Sequence, residues 1–95
     1  MKKKYLIRVT SDFSKSLKKL VKNNTKLKEQ ISKIIKLLNV SPFDTKLMTH
    51  KVNTKKLGAV LSSRVTGDIR ILWKFLGSEK YVIICLTIGG HDKVY

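Results

Sequence analysis

Three apolar runs in the second half of the chain follow one another with very short gaps. They are "AVLSSRVT" at 59–66, "DIRILWKF" at 68–75 and "YVIICLTI" at 81–88. Each has the length and the β-branched or aromatic content that is typical of a strand. The gaps contain Gly67 and Gly77, which suit tight turns. Because parallel neighbours need long crossovers, these runs predict an antiparallel meander.

The first half of the chain is typical of one strand followed by two amphipathic helices. Residues 4–10 alternate in the manner of a strand, and Ser11 or Asp12 is predicted to cap the first helix. The second helix is expected to end before Pro42, because the residue that precedes a proline is disfavoured in a helix. The apolar positions at helical spacing are Phe13, Leu17, Leu20 and Val21 in the first helix, and Leu27, Ile31, Ile34, Ile35 and Leu38 in the second.

The predicted fold class is α+β with the order β-α-α-β-β-β. An antiparallel twisted sheet would carry both N-terminal helices on one face. Residues 43–58 are polar and lysine-rich without a sustained apolar period, so no regular element is predicted there. The length favours a single domain over residues 1–95. Trp73 and Cys85 are predicted to lie in its core.

The charge of the chain is large and unevenly distributed. The sequence contains 21 Lys and Arg against 6 Asp and Glu, a net charge of +15. Residues 1–56 hold 16 basic and 3 acidic side chains (+13), and residues 57–95 hold 5 and 3 (+2). Such a field favours polyanionic partners, although lysines also keep helix faces soluble. Cys85 is the only cysteine, and no apolar run approaches the ~20 residues of a membrane span, so a soluble cytoplasmic domain without a membrane partner is expected.

One face of the predicted sheet receives the helices, and the second face is left for chemistry. On the 68–75 strand the charged residues Asp68, Arg70 and Lys74 fall on the side opposite the apolar set. On the preceding strand, Arg64 shares a side with Val60 and Ser62. The charged side chains therefore mark the second face as the candidate functional surface.

The candidate reactive residues fit RNA cleavage without a metal. They are His50, Arg64, Asp68, Arg70, His91 and Tyr95. In such a reaction the 2′-hydroxyl attacks the adjacent phosphate, which requires a base, an acid for the leaving 5′ oxygen and a cation for the phosphoryl oxygens. Histidine can take either proton role, arginine can bind two phosphoryl oxygens, and an aromatic ring can stack on a base. The sequence has no His/Cys cluster at metal spacing and no glycine-rich phosphate loop, and no metal or other cofactor is expected.

Three of these residues also have an ordinary structural interpretation. His50 lies in a polar stretch where a histidine is commonly a surface residue. Arg64 is equally compatible with a solvated or ion-paired strand residue, and Asp68 beside Gly67 with a turn-forming one.

The stretches "SSRVTGDIRILWKF" and "ICLTIGGHDKVY" resemble the second half of the RelE/ParE superfamily of bacterial toxins, and within it the YafQ-like branch. In that superfamily a strand bearing R-V leads through a turn to D-x-R-I, and an I-G-x-H-x-x-x-[YF] pattern follows. The preceding strand, helices and "MTHKVNTKKLGAV" segment fit the same plan. The resemblance implies a type II toxin that cuts messenger RNA on the ribosome and is silenced by a cognate antitoxin.

The resemblance also assigns roles to individual residues. His50, Asp68, His91 and Tyr95 match the family's functional positions, and Arg64 stands where the YafQ-like branch usually has a histidine. His50 is then the general base, His91 the acid, Arg64 the phosphate clamp, Tyr95 the stacking ring and Asp68 the residue that orients a histidine. The base and acid roles could be exchanged. Ile69 departs from the family by replacing an aromatic residue after the aspartate.

Further basic residues are expected to bind RNA. They are Lys51, Lys55, Lys56, Arg70, Lys74 and Lys93. The expected partners are an acidic antitoxin, the ribosome and mRNA. Two other functions stay open at this point: a ParE-like gyrase inhibitor without RNA chemistry, and a non-catalytic nucleic-acid-binding module.

Overall fold

A computed structural model describes residues 5–78 and 81–90. The fold class is α+β, as predicted, and the two helices pack against a single sheet. The elements in chain order are β1 (Leu6–Val9), α1 (Ser11–Val21), α2 (Thr25–Val40), a 3-10 turn (Thr45–Leu47), β2 (His50–Thr54), β3 (Gly58–Arg64), β4 (Ile69–Leu76) and β5 (Val82–Gly90). Among the helices that the structure describes, none is long and apolar enough to span a membrane.

The sheet contains five strands in the order β1-β5-β4-β3-β2. The antiparallel meander of β3, β4 and β5 confirms the prediction. The sheet is mixed, however, because β1 runs parallel to β5. The prediction of a wholly antiparallel sheet was wrong in this pair. Two helices follow β1 in the chain, so β1 is not joined to its neighbour by a hairpin and can run parallel to it.

The additional strand β2 occupies a segment in which no regular element was predicted. Its residues pair with β3 from His50↔Ser62 to Thr54↔Gly58. Val52 is the only apolar residue in the strand, so a local apolar period does not reveal it. At the turn, the backbone N–H of Leu57 donates to Thr54 Oγ1 at 2.8 Å, and Gly58 has a positive φ of 73°. The backbone pairing with β3 thus stabilises β2 as an edge strand.

Both helices begin at capping residues. Thr10, rather than the predicted Ser11 or Asp12, caps α1, because its Oγ1 accepts from the N–H of Phe13 at 3.0 Å. The same hydroxyl donates to the carbonyl of Leu86 at 2.8 Å, which ties the start of α1 to β5. Asn24 caps α2 by accepting from the N–H of Leu27. These caps satisfy backbone donors that a helix leaves unpaired.

The apolar residues of both helices pack on one face of the sheet. Phe13 from α1 and Ile31, Ile34 and Leu38 from α2 meet Ile71, Trp73, Ile83 and Cys85 from β4 and β5. The predicted core positions Trp73 and Cys85 are confirmed as fully buried. Burial raises the pKa of the Cys85 thiol to about 12, so this cysteine is a core residue and not a reactive one.

The second face of the sheet is the one turned away from the helices. His50, Ser62, Leu72 and Thr87 lie opposite one another in four adjacent strands, and Arg64 pairs with Arg70 two residues further along. Ser62 and Leu72 are nevertheless fully buried. The turn between β2 and β3 reaches the level of β5, since residues 54–57 and 86–88 line one cavity of about 540 Å³. Part of the second face is therefore buried, whereas the sequence predicted a face that is left open for chemistry.

A buried hydrogen-bond chain attaches the segment before β2 to the sheet. Trp73 Nε1 donates to Ser63 Oγ at 2.7 Å, and Ser63 Oγ lies 2.7 Å from Thr49 Oγ1. Thr49 Oγ1 in turn donates to the carbonyl of Pro42 at 2.7 Å. The single hydroxyl hydrogen of Thr49 is committed to Pro42, so Ser63 must donate to Thr49. All donors then point the same way, from Trp73 to Pro42.

Replacement of Ser63 by alanine tests this chain. Ser63→Ala leaves the buried Trp73 N–H without its acceptor and deprives Thr49 of its donor. We expect the free energy of unfolding to fall by about 1–3 kcal/mol, as for other buried polar groups that lose a partner. Chemical denaturation measures this difference. Ser32→Ala, at an exposed position on α2, is the control and should change stability little. Equal stability of the two variants would contradict the assigned chain.

Candidate functional site

His50 and Arg64 lie on the same face of the sheet at the same end of adjacent strands. His50 begins β2 opposite Ser62, and Arg64 ends β3 two residues after Ser62. Residues two apart in a strand share a face, so both side chains belong to the second face. Both are exposed to solvent. The structure thus brings together two of the five predicted catalytic residues.

Met48 contacts both of these side chains. Nδ1 of His50 lies 2.9 Å from the carbonyl oxygen of Met48. Nη1 of Arg64 donates to the thioether sulfur of Met48 at 3.3 Å. Met48 itself has a positive φ of 49°, a conformation that is uncommon for a residue with a side chain. The local backbone therefore turns its carbonyl toward the imidazole while its side chain meets the guanidinium.

The contact with Met48 determines which nitrogen of His50 carries a hydrogen. A carbonyl oxygen can only accept, so Nδ1 of His50 is the donor. In a neutral imidazole the other nitrogen, Nε2, then has a free lone pair. A histidine held in this tautomer is ready to accept a proton at Nε2.

The segment that carries Met48 is anchored on both sides. Asp44 caps the 3-10 turn, because its Oδ1 accepts from the N–H of Lys46 at 2.9 Å. Leu47 is fully buried in the core. Thr49 follows Met48 and belongs to the hydrogen-bond chain described above. These three attachments restrict the backbone on which His50 depends.

Arg70 serves mainly to hold the turn between β3 and β4. Its Nη1 donates to the carbonyl of Thr66 at 2.7 Å and approaches that of Ile69 at 3.3 Å. The hydroxyl of Thr66 accepts from the backbone N–H of Ile69 at 3.0 Å. The predicted RNA-binding role of Arg70 therefore competes with a structural one that the sequence does not reveal. Arg64 lies beside the same turn, since a Cβ at Gly67 would be 4.0 Å from its Nη2.

Asp68 lies against the end of β5. A Cβ added to Gly90 would be only 3.0 Å from Asp68 Oδ2, so a glycine allows this close approach. Gly90 directly precedes His91 in the sequence. The catalytic predictions for His91 and Tyr95, and the RNA-binding prediction for Lys93, lie outside the described residues.

The predicted RNA-binding lysines divide between two places. Lys55 and Lys56 lie at the β2–β3 turn and line the cavity next to Thr10 and residues 86–88. Lys51 and Lys74 line a second cavity that also includes His50. All four lysines are exposed. By strand alternation Lys74 shares the second face with Arg64 and Arg70, whereas Lys51, the residue after His50, lies on the helix-facing side.

Sequence reasoning missed Met48 and Thr49 as parts of this site. Methionine and threonine in a polar segment carry no chemical signal, and their roles depend on contacts with β3. An aromatic neighbour was also missed: Phe43 is 60% exposed, follows the only proline and lines the same cavity as His50. A phenylalanine directly after the only proline was the one clue that the sequence contained.

Comparison with known proteins identifies the fold. No family model and no curated protein sequence matches this chain. YafQ from E. coli superposes with a TM-score of 0.73 at 18% identity, covering 96% of this chain and 98% of that one. The RelE–RelB complex from Pyrococcus horikoshii gives 0.72 at 16% identity, covering 96% and 99%. The chain has the fold of the YafQ and RelE toxins.

A third similar structure is named after two toxins, YoeB and ParE. A YoeB/ParE toxin from Agrobacterium tumefaciens superposes with a TM-score of 0.73 at 15% identity, covering 90% of this chain and 98% of that one. Coverage of nearly the whole length in all three cases confirms the predicted RelE-like architecture. At these identities the likeness concerns the fold, and the activity has to be argued from the site.

The tautomer of His50 can be tested directly. The contact with Met48 predicts that the neutral form of the imidazole carries its hydrogen on Nδ1 and leaves Nε2 bare. Nitrogen-15 NMR of the labelled imidazole distinguishes the two tautomers by their chemical shifts and couplings. The same residue in denaturant is the control, because the contact with Met48 is lost on unfolding. A His50 with hydrogen on Nε2 in the folded protein would contradict the assigned contact.

Proposed function

We propose that this protein is the toxin of a type II toxin–antitoxin system and acts as a ribosome-dependent mRNA endonuclease. The observation that carries the proposal is the pairing of His50, whose Nδ1 contact with Met48 leaves the lone pair of the neutral ring on Nε2, with the exposed guanidinium of Arg64 on a RelE-like fold. These two groups supply the base and the cation that cleavage through the 2′-hydroxyl requires.

His50 acts as the general base. Its Nε2 takes the proton of the 2′-hydroxyl as the O2′–P bond forms. The Nδ1–H bond to the Met48 carbonyl keeps the ring in place and stabilises the imidazolium that results. This geometry favours the base assignment for His50 over the exchanged one that the sequence left open.

Arg64 binds the phosphoryl oxygens on which charge accumulates. A guanidinium has five N–H donors, and a thioether is a weak acceptor. The contact with Met48 therefore orients Arg64 while most of its donors stay available for phosphate. A bidentate pair of this kind suits a phosphate better than a lysine would.

His91 completes the reaction as general acid by protonating the 5′ oxygen as the P–O5′ bond breaks. The products are a 2′,3′-cyclic phosphate and a free 5′-hydroxyl. Asp68 orients a histidine, and the position of its carboxylate against Gly90, one residue before His91, supports this role. Tyr95 stacks on an unpaired base, as the resemblance implies.

The partners follow from charge and fold. A net charge of +15 suits an acidic antitoxin as well as the RNA of the ribosome and its message. The similar archaeal RelE was solved as a complex with RelB, which supports an antitoxin partner for this chain. A protein that acts on ribosomes and mRNA works in the cytoplasm.

A gyrase-inhibiting toxin is the second candidate. The similarity to a structure named YoeB/ParE toxin favours it, since that name includes a branch without RNA chemistry. The pairing of His50 with Arg64 has no purpose in such an inhibitor. A non-catalytic nucleic-acid-binding module would use the charge alone.

Cleavage of mRNA on programmed ribosomes tests the proposal. Wild-type protein should cut the message at defined positions. We expect His50→Ala to lose ~10²–10⁴ in single-turnover rate, as for a missing base, and Arg64→Ala about 10²–10³, as for a missing charge stabiliser. Lys33→Ala removes one exposed charge from α2 and is the matched control, with wild-type activity expected.

The outcomes separate the candidate functions. Wild-type cleavage that persists at full rate in His50→Ala would contradict the proposed base. A wild-type protein that leaves the message intact and inhibits DNA gyrase would establish the second candidate instead. Circular dichroism of each variant confirms that the fold is retained.

A further inference from the structure

The strands β3 and β4 diverge toward one end of the sheet. The ladder of paired residues between them stops at Leu61↔Trp73. Beyond that pair, and among the strands that the structure describes, residues 58–60 of β3 pair only with β2 and residues 74–76 of β4 only with β5. These two arms are therefore held in extended form by their outer neighbours, while no described strand pairs with their inner edges.

Ala59 and Phe75 direct backbone groups into the gap between the arms. In an antiparallel ladder, every second residue of a strand turns its N–H and C=O toward the same neighbour. The N–H of Val65 donates to the carbonyl of Ile69 at 2.9 Å, so the odd-numbered residues of β3 and β4 face each other in this way. Ala59 and Phe75 belong to this set but lie beyond the end of the ladder. Their N–H and C=O groups are therefore available to a further extended chain.

A cavity of about 520 Å³ occupies the gap. It is lined by Ala59 and Val60 of β3 and by Lys74 and Phe75 of β4, which places it between the two arms. Three residues of extended chain span about 10 Å, which is the length of each arm beyond the ladder. The cavity thus has the length and the backbone edges to receive a short strand.

The two sides of the cavity differ in chemistry, because alternate residues of a strand point to opposite faces of the sheet. On the helix-facing side lie Leu61 and Phe75, together with Phe43, whose ring centroid is 6.3 Å from that of Phe75. The ring of Phe43 is 60% exposed, which leaves apolar surface for a ligand. On the second face lies Lys74, which is exposed. One side of the cavity is thus largely apolar, and the other carries a positive charge.

We propose that this gap binds an extended acidic segment of a partner protein, which adds to the sheet by pairing its backbone with Ala59 and Phe75. In such strand addition the main-chain hydrogen bonds give affinity and the alternate side chains give specificity. Apolar residues of the segment pack on Phe43 and Leu61, and the acidic residues between them face Lys74. The inference rests on the proposed function in naming the antitoxin as the source of the segment.

The chemistry of the gap favours a peptide over other occupants. Ala59 and Phe75 offer N–H donors and C=O acceptors in the arrangement of a strand edge, which another peptide backbone matches and a sugar-phosphate backbone does not. Lys51 and Lys74 both line the cavity, and the net charge of the chain is +15, so an acidic segment is attracted. A second copy of this chain carries the same positive charge and is repelled.

Selection from two displayed peptide libraries tests the proposal. Both contain peptides of about eight residues, enough to pair with one arm and to extend past it on either side. Acidic and apolar residues are present in equal shares, but they alternate in one library and form two blocks in the other. The wild-type protein should enrich alternating peptides over block peptides, because an alternating strand presents one chemistry to each side of the gap.

Hydrogen exchange of single backbone amides, measured by NMR, shows where an enriched peptide binds. With the peptide at about ten times its Kd, the amides of Ala59 and Phe75 should exchange roughly tenfold more slowly, since only the free protein exchanges them. The amide of Val60 is the matched control, because Val60 already pairs with Val52 of β2. Its exchange rate should change little.

Two substitutions test the two sides of the cavity separately. Phe43→Ala removes the apolar contact and should weaken binding of the enriched peptide about 5- to 30-fold, as for an aromatic anchor of an interface. Lys74→Glu should weaken it at least about 2- to 5-fold, the range for one solvated ion pair. Lys33→Glu makes the same charge change on α2 and should alter binding less than Lys74→Glu does. Thermal unfolding of each variant confirms that it is folded.

Equal recovery of alternating and block peptides would overturn the proposal, because charge alone would then explain binding. Unchanged exchange at Ala59 and Phe75 with an enriched peptide bound would overturn it as well, since the peptide would lie elsewhere. Protection of these amides by a single-stranded RNA, and not by the peptide, would assign the gap to nucleic acid instead. None of these measurements depends on cleavage, whereas failure of the proposed function would appear as uncut mRNA on programmed ribosomes. The two failures are therefore distinguishable.

Discussion

The hydrogen-bond chain from Trp73 through Ser63 and Thr49 to the Pro42 carbonyl holds the candidate site together. It begins at fully buried groups, where an unpaired donor would cost free energy, so every link has to be made. Its last two members, Thr49 and Pro42, lie at the two ends of the segment between α2 and β2, and their hydrogen bond fixes both ends of that segment. The ring of Phe43 and the carbonyl that orients His50 both depend on this segment. A core interaction thereby sets the geometry of an exposed site.

One face of the sheet packs against the helices and stabilises the fold, and the second face carries the proposed chemistry. The helices and the apolar sides of β4 and β5 form the core, in which even the single cysteine is buried. The second face gathers cationic residues with His50 at one end. Met48 joins His50 and Arg64 through its carbonyl and its sulfur. The proposed chemistry follows from this arrangement, in which one residue orients the base and the cation together.

The sequence predicted those parts of the fold that local periodicity determines. The two amphipathic helices, the three strands of the meander and the burial of Trp73 all follow from apolar spacing. The strand β2 and the direction of β1 depend on pairing with distant strands, so no local pattern specifies them. The residues of the candidate site also differ in how far the sequence could predict them. Residue types identified His50 and Arg64, whereas the contribution of Met48 appears only when β2 lies beside β3.

In the proposed mechanism the 2′-hydroxyl of the message is the nucleophile and His50 removes its proton. The most direct measurement uses an mRNA with a single 2′-deoxynucleotide at a mapped cleavage position on programmed ribosomes. This cut should disappear, while other cuts in the same message persist and end in 2′,3′-cyclic phosphate. Undiminished cleavage at the deoxynucleotide would contradict the mechanism, because no 2′ oxygen would be present to attack.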